Sequence, residues 1–184
     1  MRLAEMTLNS KQIYAGKIIN LRVDEVRLPN GQPAAREIVE HPGAVTVAAL
    51  TDREELIMVR QFRQPVKKIL LELPAGKLDP GEEPLVCAQR ELREETGMQA
   101  GRYELVSRYY TTPGFSDEIM YLFRATELQE TEQSLDEDEF IEVLRVPLTE
   151  ARQMINTGEI EDAKTIIGIL AAQEEFIKRT GNLP

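Results

Sequence analysis

Three glutamates near the middle of the chain have the type and spacing to bind a cation. Glu91 and Glu95 are four residues apart and Glu94 lies three residues after Glu91, so a helix would place them along one face. Like charges at these spacings destabilise a helix, and a bound cation would relieve the repulsion. Carboxylate oxygens are hard ligands, which favours Mg²⁺ or Mn²⁺ over zinc. A solvated acidic helix face is the alternative interpretation, and the spacing of the glutamates alone leaves it open.

The residues around these glutamates carry a longer pattern. Its order is Gly, five residues, Glu, seven residues, Arg-Glu, an aliphatic residue, any residue, Glu-Glu, any residue, Gly and an aliphatic residue. The residues at its fixed positions are Gly76, Glu82, Arg90, Glu91, Leu92, Glu94, Glu95, Gly97 and Met98. So many fixed positions rarely arise by chance, and the segment resembles the signature motif of the Nudix hydrolase family.

The resemblance implies a fold and a reaction. The fold is an α/β/α sandwich with a mixed β-sheet, within the α/β or α+β class. The reaction is the hydrolysis of a nucleoside diphosphate linked to another group. A non-catalytic nucleotide-binding module of the same fold is the alternative, but such modules usually lose motif glutamates and this chain keeps all of them.

The resemblance also implies a metal cofactor and its ligands. By position, Glu91 and Glu95 are the principal ligands and Glu94 assists. The backbone carbonyl of Ala75, just before the motif, resembles an additional ligand. We expect Mg²⁺, which Mn²⁺ could replace, with two or three ions per site. The motif positions expected to be structural are Gly76, Glu82, Arg90 and Gly97.

Residues outside the motif indicate a branch of the family. Pro113 lies 16 residues after Gly97, the spacing typical of the ADP-ribose pyrophosphatase branch. Segments similar to the same branch are 36–45, 61–65, 72–76 and 138–143. The branch resemblance implies hydrolysis of ADP-ribose to AMP and ribose 5-phosphate. Another nucleoside diphosphate sugar, or a dinucleotide, is the alternative substrate.

The branch resemblance further implies the residues that bind the substrate. Arg36 is similar to a residue that stacks on adenine from the partner subunit, and Glu37 would accept a hydrogen bond from the adenine amino group. Arg63 would contact a phosphate or the terminal ribose, and Glu118 would bind a ribose hydroxyl. An exposed strand pair is the alternative for Arg36 and Glu37. A structural ion pair is the alternative for Arg63, and loop stiffening is the alternative for Pro113.

The general base is expected in an acidic loop after the motif. The loop spans 135–139, and by resemblance the matching residues are Glu137 and Glu139. The sequence does not separate the base from an additional metal ligand between these two. If neither is the base, Glu94 becomes the candidate.

The composition excludes several classes of function. The 184 residues include 32 acidic and 22 basic side chains, a formal net charge of −10, which disfavours binding to nucleic acid. There is one cysteine, Cys87, and one histidine, His41, so disulfide frameworks and His-rich metal sites are excluded. No segment has the length and apolarity of a membrane span or signal peptide. We expect a cytoplasmic enzyme without a membrane partner.

The chain divides into a small β region and a main domain. Residues 1–41 are expected to form an antiparallel β region, with strands at 17–28 and 35–40 joined by a type I′ turn at Asn30-Gly31. Residues 42–184 form the main domain. Its expected strands are 44–50, 55–62, 69–73, 103–110, 119–126 and 139–146, and its expected helices are 82–96, 149–157 and 162–180. By resemblance, the first region is a dimerisation domain of a homodimer whose active sites are shared across the interface.

Overall fold

A computed structural model describes residues 3–135 and 139–181, and these residues form ten β-strands and three α-helices. The strands are β1 (Met6–Ala15), β2 (Asn20–Arg27), β3 (Pro33–Glu40), β4 (Ala44–Ala49), β5 (Glu55–Arg63), β6 (Lys68–Glu72), β7 (Ala75–Lys77), β8 (Met98–Tyr110), β9 (Ile119–Glu130) and β10 (Ile141–Pro147). The helices are α1 (Pro84–Thr96), α2 (Leu148–Thr157) and α3 (Ala163–Thr180).

The chain folds into two compact units. The first consists of Met1–Gly43 with Tyr109–Ile119, and the second of Ala44–Arg108 with Met120–Pro184. The contribution of Tyr109–Ile119 to the first unit is not visible in the sequence, because this segment lies far along the chain from the N-terminal strands. The role of residues 1–41 in dimerisation stays a prediction.

The first unit is built on a three-stranded antiparallel sheet in the order β1-β2-β3. The expected turn joins β2 to β3, with the Gly31 N–H donating to the Leu28 carbonyl at 2.8 Å. A type I′ turn needs positive φ at both central residues. Gly31 has a φ of 87° but Asn30 is not among the residues with positive φ, so the type I′ expectation is wrong.

Residues 109–119 attach to the end of β3 through backbone hydrogen bonds. The Val39 N–H donates to the Phe115 carbonyl at 2.8 Å, and the Asp117 N–H donates to the Val39 carbonyl at 3.2 Å. The Asp117 side chain also accepts a hydrogen bond from the backbone N–H of His41 at 2.8 Å. The loop that contains Pro113 is therefore held within the first unit.

The second unit combines a mixed sheet, a small antiparallel sheet and the three helices. The mixed sheet has the order β7-β4-β9-β8, with β4 parallel to β9 and antiparallel to β7. The small sheet has the order β10-β5-β6, with both pairs antiparallel. Helices α1 and α3 both pack against β4, the central buried strand. A mixed sheet with packed helices is the α+β architecture that the sequence predicts.

Helix α1 is anchored by a face slightly different from the one expected. The apolar stripe that helical spacing predicts is Leu85, Ala88 and Leu92. Ala88 and Leu92 are fully buried, but Leu85 is 43% exposed, and the fully buried Cys87 completes the buried face. The helix begins at Pro84 rather than at Glu82, since proline is favoured in the first helical turn. The core around it contains Val45, Val47, Ala49, Ile57, Met98, Ala100, Phe123 and Ala125.

Two strands are absent from the sequence-based expectations. All ten residues of β1 are exposed, so no apolar alternation marks it, and β7 has only three residues. Across the described residues, no helix combines the length and apolarity needed to cross a membrane.

Candidate active site

The candidate site forms where β7 passes the middle of α1. The Ala75 N–H donates to Oε2 of Glu95 at 3.0 Å, which fixes the C-terminal turn of the helix against β7. At Gly76, a Cβ atom would lie 1.9 Å from the Glu91 carboxylate. Only glycine leaves space for that carboxylate beside β7. Ala75, Gly76, Glu91 and Glu95 are therefore brought together.

Arg90 organises the acidic side chains of the motif. Its Nε and Nη2 donate to the two carboxylate oxygens of Glu82, each at 2.9 Å. Its Nη1 donates to Oε1 of Glu91 at 2.7 Å and to Oε2 of Glu94 at 3.2 Å. The Arg90 hydrogen bonds hold the pKa of Glu82 at about 2, well below its usual range. Arg90 thus anchors α1 to the preceding loop and orients Glu91.

The C-terminus of α1 is tied to the chain that leads into the acidic loop. Gly97 ends the helix in the left-handed conformation, with a φ of 66°. The Thr131 N–H donates to the Gly97 carbonyl at 2.7 Å, and the Ser134 N–H donates to the Glu94 carbonyl at 3.1 Å. These bonds satisfy carbonyls that the helix itself leaves unpaired. They also fix the start of the acidic loop beside the glutamates.

Burial disfavours the charge on the two principal candidate ligands. Glu95 is 3% exposed, and burial raises its pKa to about 8, with further contributions from the charges of Glu91 and Glu139. Burial also raises the pKa of Glu91, although Arg90 opposes the shift. The charge of Glu139 acts on both residues, so the three carboxylates interact. The positive charges near these carboxylates therefore do not offset the effect of burial and mutual repulsion on their pKa values.

The donors fit a hard divalent cation, although they do not form a ready-made cage. Among residues 3–135 and 139–181, no three acidic, histidine or cysteine side chains are arranged to hold a metal ion. The Glu91 carboxylate accepts a hydrogen bond from Arg90, and the Glu95 carboxylate accepts one from the Ala75 N–H. Even so, the donors brought together are carboxylate and carbonyl oxygens, the hard ligands that suit Mg²⁺.

The expected base residues are only partly described. Glu137 lies outside the described residues. Glu139 is described, and its charge reaches Glu91 and Glu95 as stated above. Glu94 is 31% exposed at its side chain and accepts from Arg90.

Arg63 forms a bidentate ion pair with Glu72 within the second unit. Its Nε and Nη2 donate to the two oxygens of Glu72, each at 2.8 Å. Lys164 donates to the same carboxylate at 2.5 Å. Burial alone would raise the pKa of Glu72, but Arg63 and Lys164 together hold it below its usual value. This geometry matches the structural alternative for Arg63, while the 40% exposure of its side chain leaves it accessible to a ligand.

The other predicted substrate contacts lie in the first unit. Arg36, on β3, pairs with Glu5 through two hydrogen bonds, one of 3.0 Å from Nε and one of 2.5 Å from Nη2. Glu37 is exposed and, as the next residue along the strand, points to the opposite face of the sheet. Pro113 is also exposed. Glu118 accepts a hydrogen bond from the Thr111 hydroxyl at 2.5 Å.

A cavity of about 360 Å³ lies elsewhere in the second unit, beside the C-terminal end of β4 and the middle of β9. Its Arg124 is paired with Glu104 at 2.7 Å and with Glu175 at 3.3 Å. None of the sequence-predicted site residues lines this cavity. The chemistry therefore points to the carboxylate cluster and not to the cavity.

A polar network beside the site is missing from the sequence-based predictions. It joins Glu72 to Lys164, Asp162 and Thr165 at the start of α3. One signal could have revealed its centre, because Glu72 is a lone carboxylate in the apolar strand β6 and buried carboxylates need a cationic partner. The partner itself, 92 residues away, has no local signature.

Comparison with known families matches nearly the whole chain. A profile described as a NUDIX domain matches residues 40–167. A second profile, described as a nucleoside diphosphate sugar hydrolase N-terminal domain, matches residues 5–39. The two matches meet close to the junction between β3 and β4.

Similar proteins and structures agree with these profiles. The chain is 50% identical over 169 residues to a Bacillus subtilis protein named ADP-ribose pyrophosphatase, covering 91% of each chain. It is 47% identical over 177 residues to a Bacillus methanolicus protein named methanol dehydrogenase activator, covering 95% of this chain and 96% of that one. A crystal structure described as an ADP compounds hydrolase matches with a TM-score of 0.84 over 96% of both chains. At 22% identity, that likeness establishes the fold alone.

Proposed function

This chain belongs to the Nudix hydrolase family, and from that premise we propose that it hydrolyses ADP-ribose to AMP and ribose 5-phosphate. The observation that carries the proposal is the 50% identity to a Bacillus subtilis protein named ADP-ribose pyrophosphatase. Because that identity extends over 91% of each chain, it is not confined to the glutamate motif.

Proteins of this family generally use divalent metal ions. For this chain we propose two or three Mg²⁺ ions, replaceable by Mn²⁺, with Glu91 and Glu95 as the principal ligands. Glu94, Glu139 and the Ala75 carbonyl complete the proposed donor set. When bound, Mg²⁺ would neutralise phosphate oxygens and lower the pKa of a coordinated water. A protein with a net charge of −10 needs such cations to accept a pyrophosphate.

The chain's own residues then orient the ligands and accept a proton. Arg90 holds the Glu91 carboxylate beside Gly76, and the Ala75 N–H holds Glu95. Glu139 or Glu137 takes a proton from the attacking water. The water oxygen bonds to one phosphorus as that phosphorus loses its bond to the bridging oxygen, which leaves two phosphate monoesters.

The first unit is proposed to supply the adenine contacts in a cytoplasmic homodimer. Two observations support this: Arg36 and Glu37 are both exposed on β3, and residues 5–39 match the N-terminal domain of nucleoside diphosphate sugar hydrolases. Pro113 and Glu118 lie in the loop held against the same strand. Arg63 is the proposed phosphate or ribose contact from the second unit.

A substrate panel tests the proposal. ADP-ribose, ADP-glucose, GDP-mannose and diadenosine polyphosphates are incubated with enzyme and either Mg²⁺ or EDTA, and the products are identified by chromatography and ³¹P NMR. We expect the highest kcat/KM for ADP-ribose, with AMP and ribose 5-phosphate as products and no turnover in EDTA. A tenfold preference for another substrate would assign that substrate instead.

A second candidate function comes from the Bacillus methanolicus relative. That protein is named for activation of methanol dehydrogenase and matches this chain almost end to end. The test adds the protein to a purified methanol dehydrogenase and measures the rate of methanol oxidation. Acceleration that disappears in the Glu91→Gln variant would show that activation depends on the same site.

A further inference from the structure

We propose that Thr165, on the first turn of α3, is a positioning residue for the candidate metal site. Its hydroxyl holds the chain segment 72–75, which delivers Ala75 to Glu95. This inference rests on the proposed function for its catalytic consequence. The structural part stands on hydrogen bonds and packing alone.

Thr165 is fully buried and uses its hydroxyl twice. The oxygen accepts a hydrogen bond from the Leu73 N–H at 2.9 Å and donates its own proton to Oδ2 of Asp162 at 2.6 Å. The Asp162 carboxylate also accepts from the Thr165 N–H at 3.0 Å, as an N-cap residue does. One hydroxyl therefore links the N-terminus of α3 to the strand end at Leu73.

A network of charged side chains around the buried Glu72 holds this N-terminus in place. Lys164 donates to Asp162 at 2.9 Å and to Glu72 at 2.5 Å, while Arg63 donates to both carboxylate oxygens of Glu72. Glu72 is 1% exposed, so water does not compete for its oxygens. The residue before Leu73 is thus clamped by the same helix end that binds Leu73.

Packing adds a second contact between α3 and Leu73. Gly168 lies three residues after Thr165, on the same face of the helix. A Cβ atom at Gly168 would lie 2.3 Å from Cδ1 of Leu73, whose side chain is fully buried. The helix therefore approaches Leu73 as closely as a residue without a side chain allows.

The next two residues are fixed by other elements. The Pro74 carbonyl accepts hydrogen bonds from the Val47 N–H at 2.9 Å and from the Thr46 hydroxyl at 3.3 Å. The Ala75 N–H donates to Glu95 at 3.0 Å. Each residue from 72 to 75 is therefore tied to a different group.

The test compares Thr165→Val, which keeps the shape and removes the hydroxyl, with Thr165→Ser, which restores the hydroxyl. Three quantities are measured: Mn²⁺ affinity without substrate, amide hydrogen exchange at Leu73 and Ala75, and kcat and KM for ADP-ribose. Ile169→Val is the control, because it removes a methylene group from a buried position of the same helix and leaves the Thr165 hydroxyl intact.

We expect Thr165→Val to weaken Mn²⁺ binding and lower kcat by about 10–100-fold each, as for other residues that support metal ligands. KM should change less than kcat, exchange at Leu73 and Ala75 should accelerate, and Thr165→Ser and Ile169→Val should remain near wild type. Wild-type Mn²⁺ affinity in folded Thr165→Val would overturn the proposal, as would equal losses in Ile169→Val.

Two further experimental outcomes bear on the proposal. If Thr165→Val does not fold, Gly168→Ala displaces Leu73 from the same helix face and must weaken Mn²⁺ binding, or the proposal fails. If the wild-type protein does not hydrolyse ADP-ribose, the proposed function fails. Mn²⁺ affinity and amide exchange then still decide whether Thr165 positions the site.

Discussion

At the scale of single residues, the fold places the carboxyl groups of Glu91 and Glu95 in surroundings that disfavour their negative charge. Glu95 accepts one backbone hydrogen bond but is almost fully buried, and the charge of Glu91 adds to its raised pKa. Arg90 does not remove the conflict, because two of its donors are committed to Glu82. The energetic gain from adding a divalent cation is therefore concentrated on Glu91 and Glu95.

The first prediction concerns those two residues. Glu91→Gln or Glu95→Gln should abolish turnover while the fold is retained, because burial already disfavours the charged form of both side chains. Activity with Mg²⁺ and thermal unfolding in EDTA measure the two effects. Glu83→Gln, at an exposed and variable position within the motif, is the control and should keep full activity. Activity near wild type in both variants would contradict the ligand assignment.

The second prediction concerns the base. Glu137→Gln or Glu139→Gln should lower kcat by about 10²–10⁴-fold, the usual range for general acid–base catalysis. Titration with Mn²⁺ separates the roles, since the variant that also binds metal more weakly has lost a ligand rather than the base. If kcat is unchanged in both variants, Glu94 becomes the candidate.

At the scale of elements, α1 and β7 meet so closely that glycine is required between them. Gly76→Ala should lower kcat about tenfold or more, since misplacing a group by about 1 Å can cost far more than that. Thermal stability should change little, because the clash is with the end of a flexible side chain, Glu91. Gly101→Ala is a matched control, as its Cβ would lie 2.7 Å from the Glu127 carboxylate, outside the candidate site. Equal effects in both variants would contradict the close-approach argument.

The attachment of α1 to its preceding loop should be sensitive to acid. The pKa of Glu82 is lowered to about 2 from 4.5, so its ion pair with Arg90 stabilises the fold above pH 4.5 and is lost as the pH falls toward 2. Glu82→Gln should cost about 2 kcal/mol at pH 7. The difference from wild type should shrink below pH 4.5 in urea unfolding experiments. A difference that stays constant down to pH 2.5 would show that the ion pair is not the cause.

A helix or strand of this protein can be predicted from the sequence where its own residues carry a recognisable pattern. The motif predicts α1 to within two residues at its start and without error at its end, because Gly97 marks the end of the helix, whereas Pro84, at which the helix begins, does not enter the prediction. Strand β1 escapes prediction because it is stabilised by backbone pairing with β2 and has no buried side chain. Likewise, nothing near Thr165 in the sequence indicates its bond to Leu73, which spans 92 residues.

At the scale of the whole molecule, the prediction is a two-fold dimer with shared sites. An isolated hairpin is marginal in water, so deleting residues 1–41 should give an inactive, poorly soluble chain. The sharper test mixes two inactive variants, one with Arg36→Ala and Glu37→Ala and one with Glu91→Gln. A mixed dimer would then contain one site with both lesions and one with neither, so subunit exchange should restore part of the activity.

Two results would contradict the shared-site prediction. One is a mixture that stays inactive after exchange has been verified by mass spectrometry. The other is a monomer in light scattering. In either case the adenine contacts would have to come from a single chain.

The fold class and the family could be predicted from the sequence because both depend on the motif and on hydrophobic patterning. The assignment of Tyr109–Ile119 to the first unit could not, because it depends on backbone bonds to Val39 that no side-chain pattern encodes. The role of Arg63 could be predicted only in part. The sequence presents both the ion pair and the ligand contact as options, and only the geometry supplies the partner.

The burial of Cys87 makes this protein a convenient background for chemical labelling. Its thiol is fully buried and donates to the Lys77 carbonyl at 3.2 Å, and burial raises its pKa far above that of a free cysteine. Thiolates, not thiols, react with maleimides, so the native protein presents almost no competing nucleophile of this kind. A cysteine introduced on the exposed strand β1 could then carry one fluorophore per chain, and fluorophores on two chains would report how far apart their first strands lie.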